Sequence, residues 1–176
     1  KSTEVDLALD NWDLAQQQVR TELVRLLNWQ LPDALPLSKG SATNDTAYKA
    51  YLTGISYLYR TDYKDNIEKS VQQLQLANQA APNFIEARFA LIEAYFRMAR
   101  LRDIHIWLPQ ADELLLQLGQ NELVHRNQQP RLLALQADSA KLRSDLPTAL
   151  QLYQQALQAE PANPNLLHGL ARAYEA

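Results

Sequence analysis

Small, large, small and proline recur twice in this sequence at offsets of four, three and five: Ser70, Leu74, Ala77 and Pro82, then Ala149, Tyr153, Ala156 and Pro161. Residues four and three apart share one helical face, so the small side chains let a second helix approach while the large one fills the space beside them. Proline lacks a donor and clashes with the preceding turn, so it ends the unit. Each proline is followed by another apolar stripe at helical spacing, Ala87, Leu91 and Tyr95 in one case and Leu166, Leu170 and Tyr174 in the other. Ahead of Pro82, Tyr51, Leu52, Gly54 and Tyr57 supply a first-helix face, with glycine where two helices must come close. Leu133, Ala137 and Ala140 take that place before Asp145. A unit that repeats with a period in the thirties predicts helical hairpins, each burying its apolar stripe against the next.

Composition agrees. Only four glycines, against a wealth of Leu, Ala and Gln, favour helix over strand. With 176 residues the chain is long enough to bury roughly 70% of its unfolded surface, so no staple is needed. Cysteine is absent, which removes disulfides and thiolate chemistry and leaves the redox compartment open. Seventeen Lys and Arg against twenty Asp and Glu give a charge of −3, which lacks the positive field that phosphate backbones require. The expectation is no nucleic-acid contact by this segment. No run approaches the roughly 20 apolar residues of a membrane-spanning helix, so no membrane contact by this segment is expected either.

Before the repeats the pattern changes. Residues 1–9 alternate Val5, Leu7 and Leu9 with polar or small neighbours, the period of a half-buried strand. That reads as a strand remnant of a missing upstream sheet or as a frayed tail. Residues 10–43 comprise an amphipathic helix over about 11–30, with Trp12, Ala15, Val19, Leu23, Leu26 and Leu27 on one face. A Pro-rich linker follows. Residues 44–176 carry the repeats.

The stretches Leu52 to Tyr57, Ala149 to Pro161 and Leu170 to Tyr174 resemble the tetratricopeptide consensus, which pairs two antiparallel helices in about 34 residues. The resemblance implies an all-α right-handed superhelix of three repeats plus a final capping helix over 44–176. Leu166, Leu167, Leu170, Ala173 and Tyr174 are the face with which that last helix is expected to cover the third repeat. Three departures stand out: four extra residues lie between Gly54 and Pro82, Ile92 replaces the usual glycine, and residues 104–126 fit the consensus poorly. The layout is also similar to the region following a TolB-like sheet in bacterial signalling proteins. CadC-like membrane-anchored transcription regulators carry such a sensor region outside the membrane, and some bacterial Ser/Thr kinases carry one after the kinase domain. That similarity implies, as an alternative function, an intramolecular sensory or coupling segment, and it favours an extracytoplasmic location.

Nothing in the sequence assembles catalytic chemistry. His105, His125 and His168 lie far apart, and none has a second ligand at the i+4 spacing of a helix-borne zinc site. No Gly-x-Ser-x-Gly turn and no glycine-rich phosphate loop occurs. Asp62, Asp65 and Asn66 lack the glycine and distant Glu of a calcium loop and suit the start of a helix better. Arg97, Arg100, Arg102 and His105 form a basic run that complements the dipole at a helix end or meets an acidic partner. Trp12, Trp29 and Trp107 read as core anchors. The expectation is a non-enzyme without cofactor or metal.

A binding surface is the remaining candidate. The resemblance implies that the first helices line a concave face, and the corresponding positions are Tyr48, Tyr51, Ile55 and Tyr59, then Phe89, Glu93, Phe96 and Arg97, then Asp138, and finally His168 and Arg172. The Lys and Asn with which chaperone-docking relatives clamp a carboxylate are missing. The expected occupant is therefore an apolar or aromatic segment of a partner protein or peptide, or of another domain of the same parent chain.

Overall fold

The computed structural model describes residues 45–60, 65–121, 124 and 128–175, all of which belong to one compact unit. The strand or tail expected at 1–9, the amphipathic helix and the linker lie outside the described residues. Seven helices follow one another, and among the described residues there is no strand: α1 Asp45–Tyr59, α2 Asn66–Ala80, α3 Ile85–Leu101, α4 Ile104–Gly119, α5 Gln129–Leu142, α6 Leu146–Ala159 and α7 Pro164–Tyr174. The described chain is thus all-α, as its composition implies.

Each helix packs on its successor, and the most extensive pairings are α1 with α2, α3 with α4 and α5 with α6. Beyond these sequential contacts, α1 meets α3, α3 meets α5 and α5 meets α7. The small–large–small signature lies inside both hairpins that carry it. Ser70, Leu74, Ala77, Ala149, Tyr153 and Ala156 are all buried, and α2 and α6 stop at Ala80 and Ala159, just short of their prolines.

Glycine is required at two of the crossings. A Cβ on Gly54 would stand 2.6 Å from Leu74 Cγ, and the Ser70 hydroxyl donates to the Gly54 carbonyl at 2.8 Å. On α7 a Cβ at Gly169 would meet the Tyr153 ring at 2.5 Å. In both places the large residue of the signature is a knob whose hole is a glycine, so the backbones approach more closely than any side chain allows.

Helix α3 is central: eleven of its seventeen residues are buried, on every side rather than along one stripe. Helix α4 is the least regular in sequence, since Pro109 lies inside it. An internal proline costs about 3 kcal/mol. Burial of Leu108, Leu114, Leu115 and Leu118, at roughly 1.5–3 kcal/mol each, exceeds that and keeps the helix intact.

The corner between α5 and α6 is built by a single short motif. Asp145 N–H donates to the Ala140 carbonyl at 2.9 Å and Ser144 N–H to Lys141 at 3.0 Å, with Ser144 left-handed at φ 63°. This is a Schellman cap in which serine occupies the position where glycine is usual. Asp145 also opens α6, its carboxylate accepting from Thr148 N–H at 3.3 Å. Asn163 opens α7 in the same manner, accepting from Asn165 N–H at 2.9 Å.

Two local expectations are corrected. Asp65 precedes α2 without a side-chain capping bond; the adjoining Asn66 instead buries its amide and donates to the Arg60 carbonyl at 3.0 Å. On α7 only part of the expected apolar face packs. Leu166 is 3% exposed and Ala173 2%, whereas Leu167 is 48% and Tyr174 65% exposed. Eleven residues make three turns, and α6 covers only one side of them.

Candidate functional site

Helices α3, α5 and α7 border a groove of about 720 Å³. Tyr59, at the end of α1, also lines it, and Ala134, Leu135 and Leu166 contribute apolar lining. Helical spacing explains its rows. Glu93, Phe96, Arg97 and Arg100 lie three or four residues apart on α3, as do Arg131, Ala134, Asp138 and Lys141 on α5 and His168 and Arg172 on α7. Each helix therefore turns one stripe toward the same space.

Seven of the eleven positions singled out in the sequence line this groove: Tyr59, Glu93, Phe96, Arg97, Asp138, His168 and Arg172. The other four do not. Phe89 is 0% exposed and belongs to the core, roofed by Arg131, whose guanidinium lies 4.8 Å above its ring. Tyr51 and Ile55 pack against that core half-buried. Tyr48 stacks on Phe84 at 6.2 Å, and Tyr51 meets the same ring edge-on at 4.9 Å. The phenol of Tyr51 is pushed above its ordinary pKa, chiefly by burial. Of an inner face that reads in the sequence as aromatic with mixed charge, Tyr59, Phe96 and the charged residues line the groove, whereas Tyr48 and Tyr51 pack on Phe84 and Phe89 lies beneath Arg131.

Several of the charged groups are paired. Glu93 accepts from Arg131 at 2.7 Å. Asp138 accepts from the Tyr153 hydroxyl at 2.9 Å and from Lys141 at 3.0 Å, with Arg100 at 3.9 Å. Tyr153, 2% exposed, is held well above the ordinary tyrosine pKa by burial and then by the Asp138 charge and hydrogen bond. Its proton is thereby fixed on the phenol, where it orients the carboxylate. Arg97 donates to the Leu58 carbonyl and lies 5.8 Å over the Tyr59 ring. His168 and Arg172 are exposed on α7.

Sequence reasoning missed Arg100, Arg131 and Lys141 as groove residues. Arg100 shares a basic run with Arg102, but the run divides: Arg97 and Arg100 face the groove, while Arg102 pairs with Glu68 of α2 at 2.7 Å. The three- and four-residue steps from Arg131 to Lys141 are the signal that marks that stripe. Trp107 packs half-buried against Tyr95, 5.6 Å between rings, as an anchor. Among the described residues no three His, Asp or Glu side chains gather as metal ligands, and no helix is long and apolar enough to cross a membrane. Compared with family models, with curated proteins and with solved structures, the chain matches none.

Proposed function

We propose that this chain is a protein-interaction module of tetratricopeptide type that binds a peptide or partner protein through the groove of α3, α5 and α7 and carries out no catalysis. The observation that carries the reading is the contact pattern. Second-neighbour packing joins α1 to α3, α3 to α5 and α5 to α7, as in a superhelix whose first helices lie on the inner side. A wide groove whose side chains come mostly from three separate helices suits an extended or helical segment better than a small substrate.

A photo-crosslinking residue tests this in cells. Placed at Ala134 on the groove wall it should yield a discrete adduct, and placed at the exposed Gln72 of α2 it should yield none. Equal labelling from both positions, or labelling from Gln72 alone, refutes the proposal.

A further inference from the structure

We propose that the groove selects an acidic segment of its partner, a stretch in which Asp or Glu alternates with small or apolar residues. This rests on the groove being the binding surface. The chain as a whole is acidic, at −3, yet the groove reverses the sign: Arg97, Arg100, Arg131, Lys141 and Arg172 line it against the carboxylates of Glu93, Asp138 and Glu160.

Two of those carboxylates are held by cations and the third by a neutral amide. Glu93 holds Arg131, Asp138 holds Tyr153 and Lys141, and Glu160 accepts from Asn163 Nδ2 at 2.6 Å. The cations are not all matched. Among the described residues Arg172 has no carboxylate within 4.0 Å, and Arg97 donates one N–H to a neutral carbonyl. Arg100 reaches only the outer edge of an Asp138 that is closer to Lys141. Thus the unmatched positive charge stands on α3 at one wall and on α7 at another, with Ala134 and Leu135 of α5 also lining the groove.

A concave surface lined by one excess sign focuses its field and raises the local concentration of the opposite charge. The apolar lining accepts small or apolar side chains between the acidic ones. An apolar or aromatic segment, the occupant expected from sequence, would leave these guanidiniums unmatched. A nucleic acid would set its continuous phosphates against Glu93, Asp138 and Glu160 as well.

The test uses the full chain and three fluorescent decapeptides: alternating Glu-Ala, alternating Lys-Ala, and Leu-Ser as the apolar probe. Fluorescence anisotropy should show the Glu-Ala peptide binding best, with affinity falling as salt rises. Arg172→Glu combined with Arg100→Gln should weaken it about ten-fold, while Arg102→Glu, outside the groove, changes it by less than about two-fold. Equal binding of the Glu and Lys peptides, or unchanged affinity in the double variant, overturns the proposal. So does displacement of the Glu peptide by an oligothymidylate at lower concentration than by unlabelled Glu peptide. If the acidic peptide fails while the Ala134 crosslink persists, the charge selection falls alone; loss of the position-dependent crosslink removes the groove reading too.

Discussion

Replacing each described glycine by alanine tests whether the helix crossings are set by glycine holes. The substitution is identical at Gly54, Gly119 and Gly169, but its surroundings are not. In a helix interior alanine is favoured over glycine by about 1 kcal/mol. At Gly119, the last residue of α4, the new methyl would find only the Gln136 amide nitrogen at 3.9 Å, so the gain survives, at about 0.5 kcal/mol. At Gly54 it would lie 2.6 and 2.8 Å from two carbons of Leu74, where carbon atoms prefer about 3.5–4.0 Å. Leu74 is wholly buried, and its own backbone nitrogen stands 3.3 Å behind, so a rotamer change does not clear the clash. Overpacking costs about 1–3 kcal/mol, and stretching the Ser70 to Gly54 hydrogen bond costs about 1 more. The net for Gly54→Ala is a loss of about 1–3 kcal/mol. Gly169→Ala, against a Tyr153 ring pinned by Asp138, should lose a similar amount. Urea unfolding followed by far-UV circular dichroism reads all three, and Leu74→Ala in the Gly54→Ala background should show favourable coupling. A Gly54→Ala protein as stable as the parent, or three shifts of one sign, would refute the reasoning.

Three further outcomes follow from the same contacts. Ser144→Gly relieves a left-handed serine and should raise stability by about 0.5–1 kcal/mol; a loss in thermal or urea unfolding would mean that the serine side chain contributes more than the backbone strain costs. Burial raises the Tyr51, Tyr95 and Tyr153 pKa values in the folded chain, so their contribution is complete below the unfolded value of about 10 and is lost as pH climbs through the folded values. Alkaline unfolding curves should accordingly show falling stability above about pH 10, with a shallower fall in Tyr153→Phe, and an unchanged slope would contradict it. Leu166→Ala should cost about 2–3 kcal/mol and Leu167→Ala under about 1, since one side chain is buried and the other half exposed; equal costs measured by urea unfolding would mean that α7 packs on a different face.

The hairpins were legible because their signature is steric. Ser70, Leu74 and Ala77, like Ala149, Tyr153 and Ala156, announce a close crossing wherever they occur at that spacing, and Gly54 announces its hole. Helix α4 was obscured by Pro109, although the step from Leu108 through Ala111 and Leu115 to Leu118 still carried the helical period. Seven of the eleven positions named from the sequence line the groove, and Tyr48, Tyr51, Ile55 and Phe89 do not. Helical spacing fixes which side chains share a face, but the helix that packs over that face decides which of them stay open. Phe89 disappears beneath Arg131 of α5, more than forty positions away in sequence, and no local pattern reports that. The cations were legible as letters but not as a set, because the excess emerges only once Glu93 and Asp138 have taken their partners.

The packing of α4 on α5 is the least extensive between successive helices, and its character differs from that inside the hairpins. Leu132 and Leu135 of α5 are buried in the core that α4 shares, while Asp112 of α4 reaches Ser139 and Arg143. Salt screens the exposed Arg143–Asp112 pair and leaves the apolar contact alone, so this seam is the one whose strength depends most on ionic strength.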